Sequence, residues 1–265
     1  MSQTIEKSKN QKRALISGRA LIFIFGLLVT AFYFVAIAGL FLFLNQLLPW
    51  MNQGVLSSRQ WIVNLSLLTL FTLPHSLLLE KGPRKWVAKI FPAKIFMSVY
   101  SFHATSTLIL MYFFWNSSSA MVWNFHFGPG QVIVIFFMLL SWLFMGVSLH
   151  FSGLFHHAGI AQWTSYVFKK NYEKIKPFQG PYRYMRHPIL ISFFLMIWIR
   201  PSMSLDQLIL SVYWSVYLYV GMLLKEKRLQ KSKLFQEYKK EVSMIPFYNE
   251  ISKVFPLKWK VEERL

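Results

Sequence analysis

Six apolar stretches divide the chain, at roughly 20–49, 61–79, 95–115, 131–155, 188–199 and 205–224. No Lys, Arg, Asp or Glu occurs between Arg19 and Arg59, or between Lys94 and Lys169. Both gaps far exceed the ~18 apolar residues that nominate a spanning helix. In hydrocarbon a backbone must satisfy its own hydrogen bonds, so each stretch is predicted to be helical. The expected fold is an all-α polytopic membrane bundle of about six transmembrane segments. Ala36-Ile-Ala38 superficially resembles a signal-peptidase site, but the apolar run continues to Trp50, which predicts an uncleaved first helix.

The fifth stretch is short. Pro188 to Ile199 is twelve residues, about 18 Å at helical rise against a hydrocarbon layer of ~30 Å. A turn at Arg200-Pro-Ser-Met-Ser204 follows, with Ser204 and Gln207 suggesting a capping box for the sixth helix. The last two stretches therefore predict a tight C-terminal helical hairpin. Its ends would bring Arg186-His187-Pro188 to Lys225-Glu226-Lys227-Arg228.

Charge sets the expected orientation. Of the 29 basic residues, 27 fall in alternate loops (1–19, 80–94, 156–187 and from 225 onward), which by the positive-inside rule predicts N-in/C-in topology. The division that follows is a basic cytoplasmic N-terminus (1–19), transmembrane helices 1–4 (20–160), a C-terminal region carrying the hairpin and a cytoplasmic helix (161–247), and a basic tail (248–265). A net charge of +19 on a soluble domain would suggest nucleic acid. Here it lies on one membrane face, so membrane lipids are the expected partners and nucleic acid is not. In a bacterium this would be the cytoplasmic membrane. The opposite loop, Trp115 to Phe127, is uncharged and aromatic, as an interfacial belt is. Asn116-Ser-Ser118 fits a glycosylation sequon, relevant only in a eukaryotic lumen. With no cysteine, disulfides, thiolate metal sites and cysteine nucleophiles are excluded.

Candidate chemistry gathers at Gly180-Pro-Tyr-Arg-Tyr-Met-Arg-His-Pro188. Pro188 suits the first turn of a helix, and His187 then stands at an entrance where free N–H groups and the helix dipole favour anions. Arg183 and Arg186 would reinforce that preference, and Glu226 would add an acceptor. Arginines flanking a membrane helix are also common, so pattern alone leaves both readings open. His75, beside Pro74 in the second stretch, is either functional or a neutral histidine bonded to a neighbouring helix. His150, His156 and His157 make a weak metal candidate, since His150 and His156 do not share a helical face.

Three segments carry a resemblance: Gly180 to Pro188, then Glu226-Lys-Arg-Leu229, then Phe235-Gln-Glu-Tyr-Lys-Lys-Glu-Val242 with Ile245-Pro246. Together they are similar to the carboxy-terminal signature of the isoprenylcysteine carboxyl methyltransferase superfamily. Trp198-Ile-Arg-Pro-Ser-Met-Ser204 and Pro74-His-Ser76 resemble the branch that contains methanethiol S-methyltransferases and nurim. The similarity spans about 70–247 and is specific over 177–247. It implies a membrane methyltransferase with S-adenosyl-L-methionine as cofactor, held by Tyr182, Arg186, His187 and Glu226. Arg186 and His187 are also the catalytic candidates, and no metal is implied. The implied acceptor is a small thiol such as methanethiol, or a lipophilic substrate such as a prenylcysteine carboxylate. A nurim-like protein without catalysis is the alternative. Leu190, Ser192, Lys225 and Ser243 depart from the family pattern, and Lys225 reverses a charge beside the expected pocket.

Overall fold

The computed structural model describes residues 2–51, 53–125, 128–170, 172 and 179–244, with side chains described from residue 18 onward. Helix α1 runs Ser2–Leu44, so the basic N-terminal stretch continues into the first apolar helix without a break. Helix α2 (Ser58–Leu77) is opened by a capping box in which Ser57 and Gln60 satisfy each other's backbone N–H groups. It is followed, across an 88° bend, by α3 (Lys81–Ile90). Helices α4 (Phe96–Phe114) and α5 (Pro129–Ser152) come next. The short α6 (Leu154–His157) and α7 (Ile160–Phe168) lead to α8 (Pro188–Trp198), α9 (Leu205–Leu229) and α10 (Lys233–Glu241).

All six apolar stretches are helical. Among the described residues, four helical segments are long and apolar enough to cross a membrane: Gly18–Leu44, Ala93–Phe114, Pro129–Ser152 and Leu205–Leu229. The bent α2–α3 pair makes a fifth if counted as one span. The count is thus four to five rather than six, because the 11 residues of α8 reach only about 16 Å. The protein is a multi-pass, all-α membrane bundle. Its buried centre joins Phe43 of α1, Leu68 of α2, Met111 of α4, Ile197 of α8 and Trp214 of α9.

Two glycines are dictated by close approach. Gly159 adopts φ +73°, and a Cβ there would meet the Ser98 backbone, while the Ser98 hydroxyl donates to its carbonyl at 2.6 Å. Gly180 (φ +54°) lies against the ring of Phe151, which lets the loop before α8 pack on α5.

The bundle end opposite the basic segments is tied by buried polar groups. Arg200 donates to the Leu44 carbonyl at 3.0 Å and to the Ser211 hydroxyl at 2.9 Å. Gln207 donates to the Phe43 and Leu44 carbonyls at 3.2 and 3.3 Å. These carbonyls belong to the last turn of α1, where a helix has no partners of its own. Asp206 accepts from the Trp115 indole (2.7 Å) and the Ser118 N–H (2.9 Å). The expected Ser204–Gln207 capping box is therefore not formed. Ser204 is the residue before α9 but makes no side-chain cap; its hydroxyl accepts from Gln46 instead.

Short strands complete this end. Gln53–Gly54 (β1) pairs in parallel with Ser117–Ser118 (β2), and Met121–Asn124 (β3) pairs antiparallel with Ser202–Ser204 (β4). Asn116 of the sequon is held by Asn64, whose carbonyl oxygen accepts the Asn116 N–H at 2.9 Å. The basic tail 248–265 and the Ile245-Pro246 pair lie outside the described residues.

Candidate functional site

The hairpin brings together the residues that sequence separates. Pro188 opens α8, since its missing N–H costs nothing in a first turn, and His187 immediately precedes it. Glu226 lies near the far end of α9, on the turn adjacent to the start of α8. Arg186 Nε donates to Glu226 Oε1 at 2.7 Å and its Nη2 to Oε2 at 3.2 Å, a two-point fork. His187 Nε2 lies 2.9 Å from Glu226 Oε1. All three residues are buried, at 7%, 2% and 4% exposure for Arg186, His187 and Glu226. A buried guanidinium and carboxylate are tolerated only when paired and hydrogen-bonded in this way.

Helix α10 and the segment after it close the other side. Arg186 Nη1 donates to the Val242 carbonyl at 2.6 Å, and the Arg186 backbone N–H donates to the Ser243 carbonyl at 3.0 Å. The Tyr238 hydroxyl donates to the Tyr182 carbonyl at 2.7 Å, clamping the turn Gly180–Arg183 that leads into the site. Burial, chiefly, raises the Tyr238 hydroxyl to about 12, so it remains a donor across the physiological range. Tyr182 is half-buried, with its hydroxyl raised mainly by burial.

Burial, then the nearby Lys225 ammonium, depresses His187 to about 4, although its hydrogen bond and attraction to Glu226 act in the opposite direction. Its imidazole is thus neutral at physiological pH. Because the carboxylate of Glu226 only accepts, Nε2 carries the proton and Nδ1 carries a lone pair. That Nδ1 is buried and has no hydrogen-bond partner among the described residues. A buried acceptor left unsatisfied costs about 1–3 kcal/mol, and the atom is suited to a ligand N–H or O–H. Beside it, Ile189 and Leu190 supply first-turn N–H groups that no preceding helical carbonyl can accept.

The structure brings Arg186, His187 and Glu226 into contact, with Tyr182 on the adjoining turn. Every side-chain nitrogen of Arg186 faces Glu226 or Val242, and His187 presents an acceptor. Arg186 is bonded to Glu226, and Glu226 in turn to His187. Arg183 is exposed.

The departures from the family pattern leave the assembly whole. Ser243 contributes its carbonyl, which any residue could supply. Ser192 is buried, donating within its own helix to the Ile189 carbonyl at 2.9 Å. Lys225 precedes Glu226 and is turned about 100° around α9 from it.

Elsewhere, His75 Nδ1 is buried without a partner, so this histidine is not tied through that atom to a neighbouring helix. His150, His156 and His157 do not assemble: among the described residues no group of three or more such side chains could hold a metal ion. Sequence reasoning missed the two carbonyls that hold Arg186 and the hydroxyl clamp from Tyr238. The Tyr-rich helix was the available signal for the clamp, but backbone carbonyls leave none.

Comparison with known proteins places the chain in a family. The family model described as NnrU protein matches residues 64–259. The methanethiol S-methyltransferase of Crocosphaera subtropica is 29% identical over 228 residues, covering 84% of this chain and 88% of that protein. The methanethiol S-methyltransferase of Mycobacterium tuberculosis is 29% identical, covering 69% of this chain and 77% of its own. Nurim of Danio rerio is 26% identical, covering 65% and 66%. No solved structure matches the chain.

Proposed function

The chain belongs to the NnrU protein family, and we propose that it is an integral membrane methyltransferase that transfers a methyl group from S-adenosyl-L-methionine to a small thiol such as methanethiol. The carrying observation is the buried Arg186–Glu226–His187 network that leaves His187 Nδ1 unpartnered at the entrance of α8. The relatives named methanethiol S-methyltransferase support the choice of reaction, and they match more of the chain than nurim does.

The donor set fits the cofactor. His187 Nδ1 would accept from an amino or hydroxyl group, the first-turn N–H groups of α8 would face a carboxylate, and Tyr182 would line the entrance. S-adenosyl-L-methionine, when bound, supplies a methyl group already activated on a sulfonium, so the chain need only align the acceptor and exclude water. Arg186 and Glu226 hold the imidazole in one tautomer and orientation. The Lys225 ammonium favours the thiolate of an acceptor, as cations near cysteine do. The basic segments gather at this end of the bundle, which supports a site at the cytoplasmic face with both termini inside.

Labelled methyl transfer by the purified protein in detergent tests the reading. Methanethiol should be methylated to dimethyl sulfide. Transfer only to a farnesylcysteine analogue would reassign the enzyme to lipophilic carboxylates. No transfer to either, with no binding of S-adenosylhomocysteine, would leave a nurim-like non-catalytic protein.

A further inference from the structure

Helix α9 carries a stripe of residues at i, i+4, i+7 and i+11: Trp214, Leu218, Gly221 and Lys225. Its lower part faces the bundle centre. Trp214 is 1% exposed, with its ring 5.9 Å from that of Phe71 on α2 and 5.2 Å from that of Phe193 on α8. Leu218 packs against the same core. Two turns above Trp214, about 10 Å along the axis, the packing stops. A Cβ placed on Gly221 would meet, apart from its chain neighbours and its own helix backbone, no atom of the described residues within 4 Å, although the residue is half-buried and lies on the inward stripe.

One turn below Gly221 on the same helix, Tyr217 belongs to an imidazole and aromatic cluster. The His75 ring lies 5.1 Å from Phe71, 4.8 Å from Tyr100 of α4 and 6.4 Å from Tyr217, one turn below Gly221. Ser76 donates to the Tyr217 hydroxyl at 3.2 Å, fixing that ring. His75 Nδ1 and His103 Nε2 are both buried without partners among the described residues. Neither the fold nor the network at His187 uses them, and a buried nitrogen left unmet carries a desolvation cost. A small thiol suits this lining, because its S–H can donate to an imidazole nitrogen and its polarizable sulfur packs against aromatic rings.

We propose that the inward face of α9, from the His75–Tyr100–Tyr217 cluster past Gly221 to Lys225, is the seat of the acceptor thiol, with Gly221 setting the size of acceptor admitted. This rests on the methyltransferase reading for its function but not for its detection.

The test uses 2,2,2-trifluoroethanethiol and fluorine NMR on the purified full chain in detergent, with no methyl donor present. The wild type should bind the probe and Gly221→Leu should bind it at least tenfold more weakly. The substitution replaces a mid-helix glycine with a strong helix former in open space, so folding is maintained. Gly146→Leu, on an exposed position of α5 that also has open space, should bind as the wild type does. His75→Phe should weaken binding while leaving S-adenosylhomocysteine binding within twofold. No probe binding by the wild type, or equal binding by Gly221→Leu, would overturn the proposal. Probe binding with no methyl transfer would instead sink the reaction and leave the seat standing.

Discussion

Replacing Glu226 with Gln keeps size and removes one charge at the centre of the network. Arg186 Nε and Nη2 both donate to this carboxylate, at 2.7 and 3.2 Å, and His187 Nε2 approaches it at 2.9 Å. A Gln offers one acceptor and turns an N–H₂ donor towards another donor. The guanidinium, at 7% exposure, would be left buried and unpaired, a change that costs about 3–5 kcal/mol. In a chain of this size that is a fall in thermal midpoint of roughly 10 °C. The double variant Arg186→Met with Glu226→Gln removes the stranded charge and leaves the Gln oxygen to accept from His187. It should recover most of the loss. Thermal unfolding in detergent of wild type, both single variants and the double variant forms a complete cycle. Additive losses in the double variant would show that the two residues do not act as a buried pair, and the positioning argument would fail.

Other predictions concern pH and the two bundle ends. His187 falls from its ordinary value of 6.5 to about 4 on burial, so between those values the unfolded chain binds the proton that the folded chain refuses. Stability contributed by the neutral ring is complete above pH 6.5 and declines as pH drops towards 4, by about 3 kcal/mol in all; unfolding curves at pH 7.5, 6 and 5 for wild type and His187→Asn should diverge in that sense, and parallel curves would contradict it. Lys225→Glu should leave S-adenosylhomocysteine binding unchanged or stronger but raise the KM for methanethiol severalfold, read by steady-state labelling; a loss of cofactor binding would assign Lys225 to the cofactor. Arg200→Lys keeps charge but cannot reach both the Leu44 carbonyl and the Ser211 hydroxyl, and should lower stability by about 2 kcal/mol in the same unfolding assay.

The helices were legible because long uncharged runs are a local signal, and the hairpin because Pro188 and the turn at Arg200 mark its ends. The meeting of His187 with Glu226 followed from that hairpin. Long-range ties were not legible. Arg200 and Gln207 cap the C-terminus of α1 more than 150 residues earlier in the chain, and nothing near either residue announces the partner. Ser204 and Gln207 have capping-box spacing, but Gln46 and the α1 carbonyls outcompete that local pairing. Arg186 illustrates the same limit within the site: its residue type suggested a ligand anion, whereas the fold supplies Glu226 and two backbone carbonyls. His103 and Gly221 carry no motif at all, and neither the unpartnered His103 Nε2 nor the open side of Gly221 leaves a trace in the sequence.

The central claim is that His187, oriented by Arg186 and Glu226, forms part of the seat of a methyl donor. Calorimetric titration of S-adenosylhomocysteine into purified wild type and His187→Ala measures it directly. Saturable binding by the wild type, abolished in a variant that still folds and inserts, is the expected result. Wild-type affinity in the His187→Ala protein, or no binding by either, would contradict it.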